Sequence, residues 1–271
     1  MIWKKIVLWL LALVLTLGAS VYQRKTGPTY PLSINTQIDG EPVAFELTRS
    51  ATTDAKCEVS IPVHEKIDSI CLVYKKFPGD FDADSLKMTR KDEVLVGKLP
   101  VQPAAGKLQY FVKLYYKGEM MFSNEHDAAV VRYKDTVPRW ALIPHVFAMF
   151  LAMLLSTVAL FMAISRIGNY RRVSWWALAA LVIGGFVFGP IVQHYAFGQA
   201  WTGFPVGMDL TDNKTLIAGV FWIAAMALNL RKERRWAVII AAIVLLGIFS
   251  IPHSARGSEF DHEAQTIKTG K

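Results

Sequence analysis

Five apolar stretches, separated by short basic runs, constrain this chain more than any other feature. They cover residues 6–22, 140–165, 174–193, 216–230 and 236–251. A helix that crosses a bilayer needs about 20 mostly apolar residues, and 17 is near the lower limit. The fourth stretch is short and borrows Thr215 and neighbouring polar residues to reach that length. Only His145 places an ionisable group inside any of the five. The pattern predicts an α+β membrane protein with an N-terminal transmembrane anchor, an all-β domain outside the cytoplasm and a C-terminal bundle of four transmembrane helices.

Charge placement predicts the orientation. Lys4 and Lys5 precede the first stretch, Arg166, Arg171 and Arg172 follow the second, and Arg231, Lys232, Arg234 and Arg235 follow the fourth. Cytoplasmic loops are enriched in Lys and Arg, so all three clusters are assigned to the cytoplasmic side. The N-terminus then lies inside and the C-terminus outside, with residues 32–136 and the tail 253–271 also outside. This distribution accounts for the net charge of +8 without nucleic acid. No basic run alternates with aromatics on a polar face, as a nucleic-acid groove requires. The first segment, residues 1–25, has two readings. Lys4, Lys5 and the small residues Gly18, Ala19 and Ser20 suit a cleaved signal peptide. The apolar run continues through Val21 and Tyr22, which suits a retained anchor.

Between the first two stretches the chain changes character. Short alternating segments at 43–47, 57–63, 69–76, 86–90, 93–98, 108–116, 120–123 and 129–133 predict a β-sandwich. In the longest, Leu108, Tyr110, Val112, Leu114 and Tyr116 point one way, and Lys117-Gly118-Glu119 makes the next turn. Pro103-Ala104-Ala105-Gly106, the Tyr-rich strand and the Lys-Gly turn resemble fibronectin type III and immunoglobulin-like domains. That resemblance implies a fold and no activity. Cys57 and Cys71, the only cysteines, fall in consecutive predicted strands. Outside the cytoplasm an even count predicts a disulfide, the alternative being two small buried hydrophobes. Asp80-Phe-Asp-Ala-Asp84 has the acid spacing of a calcium loop, but Ser85 and Lys91 stand where an EF-hand needs Gly and Glu. It reads as a solvated turn.

Chemistry is sparse. His145, His194 and His253 come from three different apolar segments, and the predicted orientation brings them all to the outer membrane face. Asp209 and Asp212 lie in the loop at the same level. Imidazole and carboxylate together suit a transition metal, and two histidines suit haem. These five residues are the candidate metal site. The alternatives are interfacial histidines, and Asp212 or Asn213 as a helix cap. Residues 189–215 mix Gly198, Gly203 and Gly207 with Tyr195, Phe197, Trp201 and Phe204. That makes a long connector, which reads as a folded cap over the bundle mouth. This segment, with residues 22–31 and 252–259, is similar to bacterial multi-pass inner-membrane proteins that carry a periplasmic sandwich. The resemblance implies the inner membrane of a bacterium and brings no activity.

No phosphate loop, dinucleotide fingerprint, nucleophile elbow, HExxH or CxxCH is present. The sequence reading is therefore a membrane protein without an evident catalytic site. Its domains are 1–25, 32–136, 138–252 and 253–271. Its expected partners are the lipid bilayer and another envelope protein, and its alternative is a metal or haem protein.

Overall fold

The computed structural model describes residues 2–253 and 257–269. The chain forms two compact units, each described by itself. A helical unit takes the chain up to Gly27 and from Val137 to Ser258, and a β unit takes Pro28–Thr136 and Glu259–Lys268.

The helical unit contains α1 (Ile2–Lys25), α2 (Arg139–Ser165), α3 (Tyr170–Leu181), a π-helical segment (Val182–Phe188), α4 (Gly189–Phe197), α5 (Leu210–Leu228) and α6 (Arg235–Ser250). α3, the π segment and α4 run on as one apolar helix, Tyr170–Phe197. α1 packs on α2 and α6, with Ala12 and Thr16 buried and Leu8 and Ala19 against the core. Gln23 Nε2 donates to Phe249 O at 2.7 Å. Most other α1 side chains are exposed apolar groups, among them Leu10, Leu11 and Val14.

Three helices are long and apolar enough to cross a membrane: Ile2–Lys25, Arg139–Ser165 and Tyr170–Phe197. Five had been expected from the sequence. The fourth stretch falls out because α5 opens with Asp212, Asn213 and Lys214 in its first turns. The fifth falls out on length. α6 has 16 residues, about 24 Å at 1.5 Å per residue, against a hydrocarbon core of about 30 Å.

The β unit follows the predicted alternation closely. β1 (Leu32–Ile38) pairs with β2 (Glu41–Leu47) across Asp39 and Gly40, both at positive φ. A six-stranded sheet runs in the order β3 (Ser50–Thr52), β11 (Ala129–Lys134), β9 (Lys107–Tyr116), β5 (Ser69–Phe77), β6 (Asp84–Lys87), with β10 (Glu119–Ser123) also on β9. A three-stranded sheet has the order β4 (Cys57–Pro62), β8 (Val94–Leu99), β7 (Thr89–Lys91). All three sheets feed one core, in which Val59, Ile61, Leu72, Leu99, Leu108, Tyr110 and Leu114 are fully buried. Leu108, Tyr110, Val112 and Leu114 alternate inward along β9. Lys117 and Gly118 take the left-handed conformations of the tight turn to β10.

One expectation is corrected here. Cys57 and Cys71 are free thiols. They lie in consecutive strands but in different sheets: Cys57 pairs with Leu99, whereas Cys71 pairs with Lys87 and Lys113. Cys57 faces the core, and Cys71 alternates with the buried Ile70 and Leu72, so the two face apart. The tail carries a hairpin of β12 (Glu259–Asp261) and β13 (Thr266–Lys268). This hairpin belongs to the β unit. Phe260 N donates to Ala105 O at 3.2 Å, Glu259 pairs with Lys107, and the ring of His262 meets Phe81 edge-on at 5.6 Å. Residues 254–256, 270 and 271 of the tail lie outside the described residues. In the acidic loop, Asp84 is occupied by Tyr74 Oη at 2.8 Å and Ser85 N at 2.7 Å.

Candidate functional site

The densest buried polar chemistry in the helical unit lies where α4, the connector and the start of α5 meet the chain leaving α6. α4 ends at Gly198, whose left-handed backbone lets its N–H return to His194 O at 2.8 Å. The connector then folds on itself. Val206 N and Gly207 N both reach Gly203 O at 2.9 Å, and Asp209 N reaches Thr202 O at 3.0 Å. Gly203 is required here, because a Cβ would lie 2.6 Å from Asp212 Cβ.

Asp212 holds this fold from inside. One carboxylate oxygen accepts from Thr202 N (2.6 Å), Gln193 Nε2 (3.0 Å), Thr202 Oγ1 (3.1 Å) and Gly203 N (3.1 Å). Asn213 Oδ1 accepts from Phe204 N at 2.8 Å. The helix cap, the alternative role considered for Asp212 or Asn213, is made by Asp209 instead. Asp209 Oδ1 accepts from Thr211 N at 2.8 Å, and Oδ2 from Ser258 N and Oγ at 2.8 and 3.1 Å. The segment is thus a folded cap, and its two acids are its internal acceptors.

Lys214 sits between these acids and the end of α6. It is 1% exposed. Its Nζ donates to Ile251 O at 2.8 Å and Pro252 O at 3.3 Å, carbonyls just past α6. Among the described residues it has no carboxylate within ion-pair distance, although Asp209 is close enough to interact with it electrostatically. A buried ammonium without a contact carboxylate is costly, so its carbonyl partners are structurally necessary. His253 follows directly and lies within electrostatic reach of Lys214, His145 and Asp209. His145, on α2, places Nδ1 2.9 Å from Gly184 O. A carbonyl only accepts, so Nδ1 carries the proton. Gly184 O also accepts from Gly189 N, the i→i+5 bond of the π segment. π-helical turns are uncommon and often mark functional positions.

Four of the five predicted ligands, Asp209, Asp212, His145 and His253, therefore share one end of the helical unit. His194 lies at the same end, in the last turn of α4, but stands apart from them. It is exposed, and its ring stands edge-on to Tyr195 at 6.2 Å. Nor do the four form a ligand set. Among the described residues no group of three or more His, Cys, Asp or Glu side chains could hold a metal ion. The carboxylates are taken up by N–H and O–H donors, and the Lys214 ammonium among them opposes a second cation. Lys214 was missed at the sequence level because the fourth apolar stretch was begun at Leu216. The signal was present: a lysine within one turn of an apolar helix rather than in its basic loop.

No protein-family model, curated protein or solved structure matches the chain.

Proposed function

We propose that this chain is a multi-pass protein of a bacterial inner membrane whose β unit stands outside the cytoplasm and recognises an envelope partner. The observation that carries the reading is the helical unit's apolar exterior. Ile143, Val146, Phe147, Ile183, Val220 and Ile243 are all half-exposed or more on helices whose interiors are packed. Water would penalise such a surface, and lipid would not. On this reading α5 and α6 complete four crossings with α2 and α3–α4. α1 is a retained anchor, as its packing against α2 and α6 supports. The basic clusters face the cytoplasm, and the Asp212–Lys214 cap faces outward.

The partner reading is supported by a cleft of about 470 Å³ in the β unit. Tyr74, Lys75, Lys76, Phe81, Asp82 and Asp84 line it. Aromatic faces beside both signs of charge suit a protein or peptide surface. The sandwich is read as fibronectin-III-like on its strand pattern alone.

Single-cysteine labelling tests the orientation. In a Cys57→Ala, Cys71→Ala background, a membrane-impermeant maleimide should label Lys87→Cys in intact cells and Lys232→Cys only after permeabilisation. The reverse pattern overturns the orientation. A photo-crosslinker at Tyr74 should give a discrete adduct in native membranes, and one at Glu58 none. Equal adducts at both positions would remove the cleft from the reading.

A further inference from the structure

At the opposite end of the helical unit, a second polar concavity has no part in the site above. It has a volume of about 480 Å³ and lies between the turn joining α2 to α3 and the turn joining α5 to α6. Its wall holds three arginines, Arg171, Arg172 and Arg235, against one acid, Glu233. We propose that this pocket binds the phosphate headgroup of an anionic membrane phospholipid. The proposal rests on the membrane reading but not on its sidedness.

Two lining residues, Tyr170 and Arg171, are anchored by hydrogen bonds around Asn229. Asn229, 1% exposed, accepts from Tyr170 Oη at 2.9 Å and Arg234 N at 2.9 Å, and donates to Ala225 O and Arg234 O. Arg171 is fixed on the carbonyls just past α5, those of Asn229 and Leu230. One cation is uncommitted, and a second is only partly engaged. Arg172 is exposed and its side chain has no partner among the described residues. Arg235 lies 5.6 Å over the Tyr170 ring and only 3.6 Å from Glu233, with Nη1 buried and without a hydrogen-bond acceptor. A guanidinium is a planar fork of donors matched to phosphate. The first-turn amides of α3 add partial positive charge on the same wall, where Asn169 already accepts from Arg172 N.

The surroundings select a lipid over a soluble phosphate. Trp175, Trp176 and Trp236 are each about half-exposed or more in the first turns of α3 and α6. Trp at the ends of apolar helices marks the headgroup level. Along the same continuous helix Val182, Ile183 and Val187 are exposed, a track for acyl chains. Basic pockets between membrane helices are a recurrent way to hold anionic headgroups.

Native mass spectrometry of the full chain in neutral detergent tests this, titrated with phosphatidylglycerol or phosphatidylethanolamine. Phosphatidylglycerol should bind to the wild type with one saturable site. Arg172→Gln combined with Arg235→Gln should weaken it roughly thirtyfold, the loss of two cations at a charged surface. Arg172→Gln alone, at a side chain with no structural bond, should weaken it about fivefold with unchanged melting. Arg231→Gln with Lys232→Gln removes the same charge away from the pocket wall and should leave the site intact. Equal loss in that control, or equal binding of phosphatidylethanolamine, overturns the site. Displacement of the lipid by millimolar glycerol phosphate overturns the lipid assignment. Sidedness is read separately by the cysteine labelling, so either reading can fail alone.

Discussion

The β unit fills its centre with large side chains: Ile61, Ile70, Leu72, Leu99, Leu108, Tyr110 and Leu114 are inaccessible or nearly so. The helical unit buries alanines, among them Ala12, Ala152, Ala159, Ala177, Ala218, Ala225, Ala241 and Ala242, interleaved with larger groups such as Val158, Leu181, Trp222, Val238 and Leu245. Many further large apolar side chains, among them Ile143, Phe147, Val220 and Ile243, face outward. The buried acids are in the helical unit, Asp209 and Asp212, beside the buried Lys214, whereas the β unit buries one charged residue, Arg132. In water, burying a Leu or Ile contributes about 1.5–3 kcal/mol, so the β unit puts those residues inside. In lipid that difference vanishes, and helices associate through small residues that let backbones approach and through internal hydrogen bonds. On the proposed membrane reading, one chain is thus packed for two solvents.

Breaking the polar end should have the largest effect. Asp212→Ala would leave the N–H groups of Thr202 and Gly203 without their acceptor and empty the centre of the cap. The expected cost is about 3–5 kcal/mol, for two stranded buried donors and the lost side-chain bonds. All eight tryptophans, at 3, 9, 140, 175, 176, 201, 222 and 236, lie in the helical unit. Tryptophan emission during thermal unfolding in detergent therefore reads that unit alone. A melting shift seen in far-ultraviolet β signal but absent from tryptophan emission would sink the argument.

Size-changing substitutions sharpen the comparison. Leu72→Ala should cost the β unit about 3 kcal/mol through lost transfer energy and a cavity, with the tryptophan-detected transition unmoved. Ala218→Leu, fully buried on α5, should cost the helical unit about 1–3 kcal/mol by overpacking. If Ala218→Leu were neutral, the small-residue interior would not be a packing device.

The sequence carried most of the β unit because alternation is a local signal. Eight predicted strands have counterparts, with residues 86–90 resolving into β6 and β7. β1 was not read, although its alternation ends in Asp39-Gly40, a strong hairpin signal. β12 and β13 were invisible because the hairpin takes its partners from Phe81, Ala105 and Lys107, more than 150 residues away. In the candidate site, the level shared by His145, His253, Asp209 and Asp212 was legible from orientation and spacing. What those groups do was not. Sequence shows a carboxylate but not the four donors around Asp212, and it shows Lys214 but not the carbonyls of residues 251 and 252 that hold it. Those partners decide between a metal site and a hydrogen-bonded cap. Metal analysis of protein purified without chelator should accordingly find no transition metal near one per chain.

The smallest effect is expected at the cysteines, where the two faces of the β unit can be compared within one experiment. Outside the cytoplasm a pair of thiols ordinarily invites a disulfide, but Cys57 faces the core and Cys71 faces away from it. Burial pushes the Cys57 thiol up to about 11. The thiolate is the reactive form, so iodoacetamide at pH 8 should modify Cys71 in the native protein and spare Cys57. Both should react after denaturation without reductant, and adding reductant should leave the melting temperature unchanged. The raised value also has a sign for stability. The unfolded thiol ionises near its ordinary value of 9, before the folded one does. The contribution of Cys57 to folding is therefore fully present below pH 9 and is lost as the pH rises from about 9 to about 11. Cys57→Ala should flatten that part of the β-unit stability profile and leave the neutral region nearly level. A non-reducing peptide map that links residues 57 and 71 would instead mean that the two sheets bring those strands together face to face, against the register of β4 on β8 and β5 on β9.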